Sequence, residues 1–190
     1  MNGAGGSAPA PRGTGSGGTG SVVLIGPPGA GCTTVGRALA DLWGVPVSDL
    51  AGTVARALGT RPELALVAVP ETRYRAVEAA TALDLLAAAT RHRRVVALGS
   101  GALTDERVRR ALDAVDESGG RVIALTASTR RLAFRNGLDA PRSMALGNVH
   151  HEFVQMLQAR QALCRELARA QVDTTGTTPG EAAAAIAAGR

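Results

Sequence analysis

The stretch "SVVLIGPPGAGCTT" (21–34) restricts this chain more than any other. An apolar run too short for a helix meets glycines at 26, 29 and 31, and a helical pattern follows at once. A buried strand must therefore turn sharply into a helix N-terminus. Glycine admits the tight backbone of such a turn. Backbone N–H groups and the positive end of the helix then converge on one point, the arrangement that holds a polyphosphate. The spacing matches G-x-x-x-x-G-K-[ST] at every place but the seventh, where lysine gives way to Cys32. Thr33 supplies the hydroxyl that holds Mg²⁺ in this motif. A glycine-rich turn without a ligand is the plain alternative, and the strand–loop–helix context counts against it.

The missing lysine matters because of its task. It reaches the β- and γ-phosphates and neutralises charge as the phosphoryl group moves. All 21 basic residues are arginine, so no lysine from elsewhere in the chain takes its place. Cysteine as a thiol is a small filler, and as a thiolate it would repel phosphate. A helix N-terminus can lower a thiol pKa and make it redox-sensitive; an inert small residue is the reading we prefer.

Composition bounds the rest. The 190 residues suit one domain, and 45% apolar content fills a core, chiefly with Ala, Leu and Val because aromatics are only 2%. Residues 1–20 are rich in Gly, Ser, Ala, Thr and Pro and read as a disordered tail rather than a signal peptide. No stretch is long and apolar enough to span a membrane. Cys32 and Cys164 lack metal-ligand spacing, and a cytoplasmic protein is the default expectation. The charge of +5 comes from arginines spread along the chain, with few aromatics for stacking, which argues against a nucleic-acid function. A monomer is expected.

Beyond the loop, short β-type runs alternate with helical ones. Helices are expected at 33–44, 50–59, 71–90, 104–115 (with Thr104 as N-cap), 148–170 and from Pro179 onward. Strands are expected at 21–25, 94–99, 121–126 and within "QVDTT" (171–175). This alternation predicts an α/β fold with a parallel, helix-covered sheet. "RNGLDAPRSMALGN" (135–148) breaks the rhythm and reads as a mobile loop over a site or as a plain helix–helix connection.

Several ordered motifs together resemble the shikimate kinases, P-loop enzymes of the nucleoside-monophosphate-kinase type. The resemblance runs from about Val22 to the C-terminus. "GPPGAGCTTVGRALADLWGVPVSD" (26–49) matches the family's opening, "YRAVE" (74–78) its F-R-x-x-E, and "VVALGSGAL" (95–103) its strand followed by three glycines. "RNGLDAPR" (135–142) sits where its lid begins. "QARQALCRELARAQVDT" (158–174) matches its R-x-x-L-Y segment and the V-D-T strand.

The resemblance implies a three-layer fold with a mobile lid at about 135–148, and ATP and Mg²⁺ as cofactors. Gly26, Gly29, Ala30, Gly31, Cys32, Thr33 and Thr34 would line the phosphates, and Arg135 and Pro179 would flank the adenine. Thr33 and Asp49 would place the metal. Arg75, oriented by Glu78, and Arg160 would grip the carboxylate of shikimate or a related small acid, as paired guanidinium forks suit. Gly99, Ser100 and Gly101 would lie beside the substrate, and Arg142 would swing onto the transferring phosphate as a catalytic group with Asp49.

Departures from the pattern fall at the chemistry. The second acid of the family's D-x-D pair, which holds the reacting hydroxyl, is Ala51 here, and a methyl group cannot accept a proton. The middle glycine of three is Ser100, for which added bulk and an unsuitable φ are expected. The lid reads P-R where the family reads R-P, and 60–70 lacks the family's acidic pair. Two hypotheses follow: a kinase for shikimate or a similar hydroxy acid, impaired in turnover, or a catalytically silent nucleotide- or metabolite-binding relative with a regulatory role. A P-loop kinase for gluconate or a nucleoside monophosphate is a third, disfavoured by "YRAVE" and "ALGSGAL".

Overall fold

The computed structural model describes residues 19–137 and 147–189, and for 147–150 the backbone alone. Five strands form one parallel sheet in the order β2-β3-β1-β4-β5. They are β1 (Val22–Ile25), β2 (Val47–Asp49), β3 (Val95–Ala97), β4 (Arg121–Thr126) and β5 (Ala170–Asp173). The helices are α1 (Cys32–Trp43), α2 (Leu50–Ala57), α3 (Ala65–Ala68), α4 (Glu71–Ala89), α5 (Glu106–Glu117), α6 (Thr129–Arg135), α7 (Gly147–Leu167) and α8 (Pro179–Ala187).

Strand β1 is buried at all four positions, as a strand covered on both faces must be. Its side chains alternate between two cores. Val22 and Leu24 join Leu39 of α1, Ile123 of β4, Leu132 of α6 and Ile186 of α8. Val23 and Ile25 join Val54 of α2, Leu86 of α4, Leu112 of α5 and Cys164 of α7. Each fully buried Leu or Ile contributes about 1.5–3 kcal/mol. Helix α4 buries Tyr74, Glu78, Ala82, Leu86 and Ala89, a stripe at helical spacing that puts one carboxylate among apolar neighbours.

The alternation predicted from sequence is present, with local corrections. Thr19 and Gly20 belong to the fold rather than to the tail, since Thr19 N–H donates to Ser118 O at 2.9 Å; residues 1–18 lie outside the described residues. β2 was not expected. At three residues on a sheet edge it is too short for a periodic signal. Helix α5 is capped not by Thr104, which ends a 3₁₀ turn at Ala102–Thr104, but by Asp105 accepting from Arg107 N–H at 2.8 Å. The short helices α3 and α6 also went unassigned. Most of the expected lid, including Arg142, lies outside the described residues.

Candidate active site

The loop Gly26–Gly31 leaves the carboxyl end of β1, where strand order reverses between β3 and β4, the usual ligand crevice of an open parallel sheet. Gly29 and Gly31 have φ of +83° and +97°, which side chains rarely adopt. Gly31 is the N-cap of α1 and offers no side-chain cap, so the first N–H groups of the helix face the loop's hollow. A Cβ on Gly26 would lie 2.8 Å from Leu125 O and 2.9 Å from Ala30 Cβ. The loop is thus shaped by absent side chains.

Its outer side is stitched to the end of β5. Arg135 donates from Nη1 to Gly29 O at 2.9 Å and from Nη2 to Thr174 O at 2.6 Å. The buried Thr174 hydroxyl reaches Ala30 O at 2.9 Å, and Asn136 Nδ2 donates to Pro28 O at 3.1 Å. Thr174 and Asn136 are not singled out by the sequence; Thr174 follows the carboxyl end of β5 and Asn136 caps the end of α6. Burial and Arg131 lower the pKa of Arg135 from its ordinary value, with Asp173 opposing.

Clefts open on both sides of the loop. The larger, of about 480 Å³, brings together Thr33, Thr34, Ala51, Arg75, Glu78, Ser100 and Arg160. The smaller, of about 400 Å³, is lined by Ala30, Thr34, Arg131, Thr178 and Pro179. Gly29, Gly31 and Arg135 border both. Of the described residues expected at the site, all but Asp49 therefore line one cleft or the other. Asp49, at the end of β2, accepts from Thr33 Oγ1 at 3.2 Å. A hydroxyl beside a carboxylate is the oxygen donor set that Mg²⁺ takes, and the glycine cradle with its helix N-terminus fits a phosphate chain.

In the larger cleft, Arg75 Nη1 donates to Glu78 Oε2 at 2.8 Å, with Glu78 buried at 6% exposure. Tyr74 OH donates to Glu78 Oε1 at 3.5 Å, and the Arg75 guanidinium stands 5.4 Å from the Tyr74 ring centre. Both groups hold Glu78 on the cleft wall. Gly101 makes room for that carboxylate, since a Cβ there would run into Glu78 Oε1. Arg160 Nη1 points to Ser100 Oγ at 3.5 Å.

One expectation about the departures needs correction, and the preferred reading of Cys32 as an inert small residue holds. Ser100 does not strain the backbone: no described non-glycine residue has positive φ, and the left-handed turn falls on Gly99 at +68°. Nor does the helix N-terminus lower the Cys32 pKa. The residue is half-buried, but its sulfur faces inward, 3.3 Å from where a Gly26 Cβ would stand. Burial pushes this thiol up to about 12, with Cys164 adding to the rise, against N–H groups of Gly99 and Cys32 itself. Cys32 is a neutral filler.

Comparison with known proteins agrees with this geometry. Residues 28–188 match the family model described as "Shikimate kinase". The chain is 39% identical over 165 residues to a shikimate kinase of Thermobifida fusca, covering 87% of this chain and 91% of that protein. It is 36% identical to one from Salinispora arenicola, covering 87% and 95%. A shikimate kinase from Acinetobacter baumannii in complex with shikimate superposes with a TM-score of 0.72 at 27% identity, covering 88% and 90% of the two chains. Parallel sheet, glycine cradle, arginine-bearing cleft and matched sequence together show that the chain belongs to the shikimate kinase family.

Proposed function

We propose that this protein binds Mg-ATP and a shikimate-type acid on the two sides of the phosphate loop and transfers the phosphoryl group slowly. The observation that carries this reading is that Cys32 and Ala51 line the same cleft as Arg75 and Arg160. The groups for binding are kept where two groups for transfer are gone.

ATP would supply the phosphoryl group, with Mg²⁺ spreading its charge. Gly29, Gly31 and the first N–H groups of α1 cradle the phosphates. The Thr33 hydroxyl and Asp49 carboxylate would hold the metal, and Arg131, Arg135 and Pro179 border the cleft that would take the base. Arg75, kept in place by Glu78, and Arg160 receive the substrate carboxylate and fix the ring. The acceptor hydroxyl lacks a carboxylate at position 51 to orient it, so its proton would pass to solvent as its oxygen bonds the γ-phosphorus and ADP leaves. The transferring group lacks a cation at position 32. Losing one preorganised stabilising donor costs roughly 10²–10³ in rate.

The loss of groups on both reacting sides also favours a second reading, a regulatory protein that closes on its ligands without turnover. One experiment separates these. Thermal shifts with Mg-ADP and with shikimate are measured beside a coupled assay, with the Thermobifida fusca enzyme as control. Both ligands are expected to stabilise the chain, with turnover at least about 10²-fold below the control. Shifts with no turnover would favour the regulatory reading, and turnover equal to the control would overturn the proposal.

A further inference from the structure

The larger cleft has an acceptor half whose chemistry is simpler than its two arginines suggest. Among its described lining residues the one carboxylate is Glu78, and that group is engaged by Arg75 at 2.8 Å and by Tyr74 at 3.5 Å. Asp49 is not among the residues that line this cleft, and it accepts from Thr33 at 3.2 Å. The neutral hydroxyl of Ser100 is 4% exposed and drawn toward Arg160. The same cleft is lined by Leu50, Ala51, Leu66 and Leu98, and Leu66 is 53% exposed. Arg75, which Glu71 also pairs at 3.4 Å, and Arg160 thus share the cleft with apolar side chains, and its one described lining carboxylate is already engaged.

A ring bearing several hydroxyls needs acceptors to discriminate it. A carboxylate left without the one hydroxyl it was placed to accept from weakens binding by about tenfold to a hundredfold. Ala51 removes that penalty, and Leu66 offers an apolar surface for the ring. We infer that the acceptor half of this cleft selects for a carboxylate on a ring and no longer reads the ring's hydroxyls, so that it takes apolar cyclic carboxylates as readily as polyhydroxylated ones. This rests on the acid-binding reading above and deepens it, by naming Ala51 and Leu66 as residues that set specificity.

The test is isothermal titration calorimetry of the full chain with shikimate and with cyclohex-1-ene-1-carboxylate, which keeps the ring and the carboxylate and has no hydroxyl. The two dissociation constants are expected to agree within about tenfold. The Ala51→Asp variant is expected to regain a preference for shikimate of about tenfold to a hundredfold, the worth of one hydrogen bond to a charged group. Ala51 is exposed in the first turn of α2, where an aspartate suits the helix dipole, so this variant keeps the fold. A preference for shikimate above tenfold in the unaltered chain would overturn the inference while leaving the acid site in place. Absence of binding by both acids, with Arg75→Ala changing nothing, would remove the acid site itself and the inference with it.

Discussion

On the β5 side of the phosphate loop, Arg135, Asn136 and Thr174 bond to the carbonyls of Gly29, Pro28 and Ala30. In the larger cleft, Cys32 on the phosphate side and Ala51 on the acceptor side stand where the family places a lysine and an aspartate. The first side works through backbone: side chains hold the loop, and the loop's N–H groups face the ligand. The second works through side-chain charge. Every residue but proline has an N–H, so the cradle survives many substitutions provided its glycines stay and no proline enters beyond Pro27 and Pro28. A charge at one position survives none. The same loop and cleft can therefore stay a binding site after they cease to be a good catalyst.

The largest expected effect would erase that contrast. Cys32→Lys with Ala51→Asp restores both charges, and phosphoryl transfer to shikimate is expected to rise by at least roughly 10²–10³-fold, more than either change alone. A flat response in a coupled assay would place the damage elsewhere, with Ser100 the next suspect. Next in size is damage to the cradle. Gly26→Ala forces a methyl against Leu125 O and Ala30 Cβ, and is expected to cost about 1–3 kcal/mol of stability and the Mg-ADP thermal shift. An undiminished ADP shift would show that the loop relaxes around the methyl.

Some of this was legible in the sequence because geometry forces it. A strand that enters a helix through "GPPGAG" has few conformations, and Gly29 and Gly31 take the left-handed ones. Arg75 and Glu78 are three apart on one helix, so their pairing needs nothing from the rest of the fold. Other features depended on tertiary context. Whether Ser100 is strained turns on which residue carries the positive φ, and that is Gly99. The Cys32 pKa turns on which side of the helix N-terminus the sulfur occupies, and burial there outweighs the N–H groups. Thr174 and Asn136 act across 144 and 108 residues of chain, a separation with no local pattern to betray it.

A smaller effect tests how the cradle is held. Thr174→Val removes the hydroxyl that lies between Ala30 O and Thr126 O and accepts from Arg135 at 3.1 Å. The site is buried, so the loss leaves partners unsatisfied and is expected to cost about 1–3 kcal/mol by chemical denaturation. The effect on Mg-ADP binding is expected to exceed that on shikimate binding, because Thr174 lies on the nucleotide side. Equal losses for both ligands would mean that the loop moves as one body and that its two sides are not independent.

The smallest effect concerns the substituted cysteine. Cys32 and Cys164 are both raised from an ordinary 9.0 to about 12, in each case chiefly by burial. Above pH 9 the unfolded chain releases thiol protons that the folded chain still holds, so stability falls as pH rises. The thiols' contribution is fully present below pH 9 and lost through about pH 12. The melting temperature is expected to drop over that window, and to drop less in Cys32→Ser/Cys164→Ala; Tyr74, also raised by burial, remains in both proteins. Parallel curves would assign the loss to other groups. Alkylation by iodoacetamide at pH 8 checks the same point chemically: Cys32 is expected to react far more slowly than a free thiol, and Mg-ADP to slow it further by covering the loop. A neutral sulfur is what allows this position to lie beside phosphates at all, since a thiolate there would add one more negative charge to a site that has already lost its lysine.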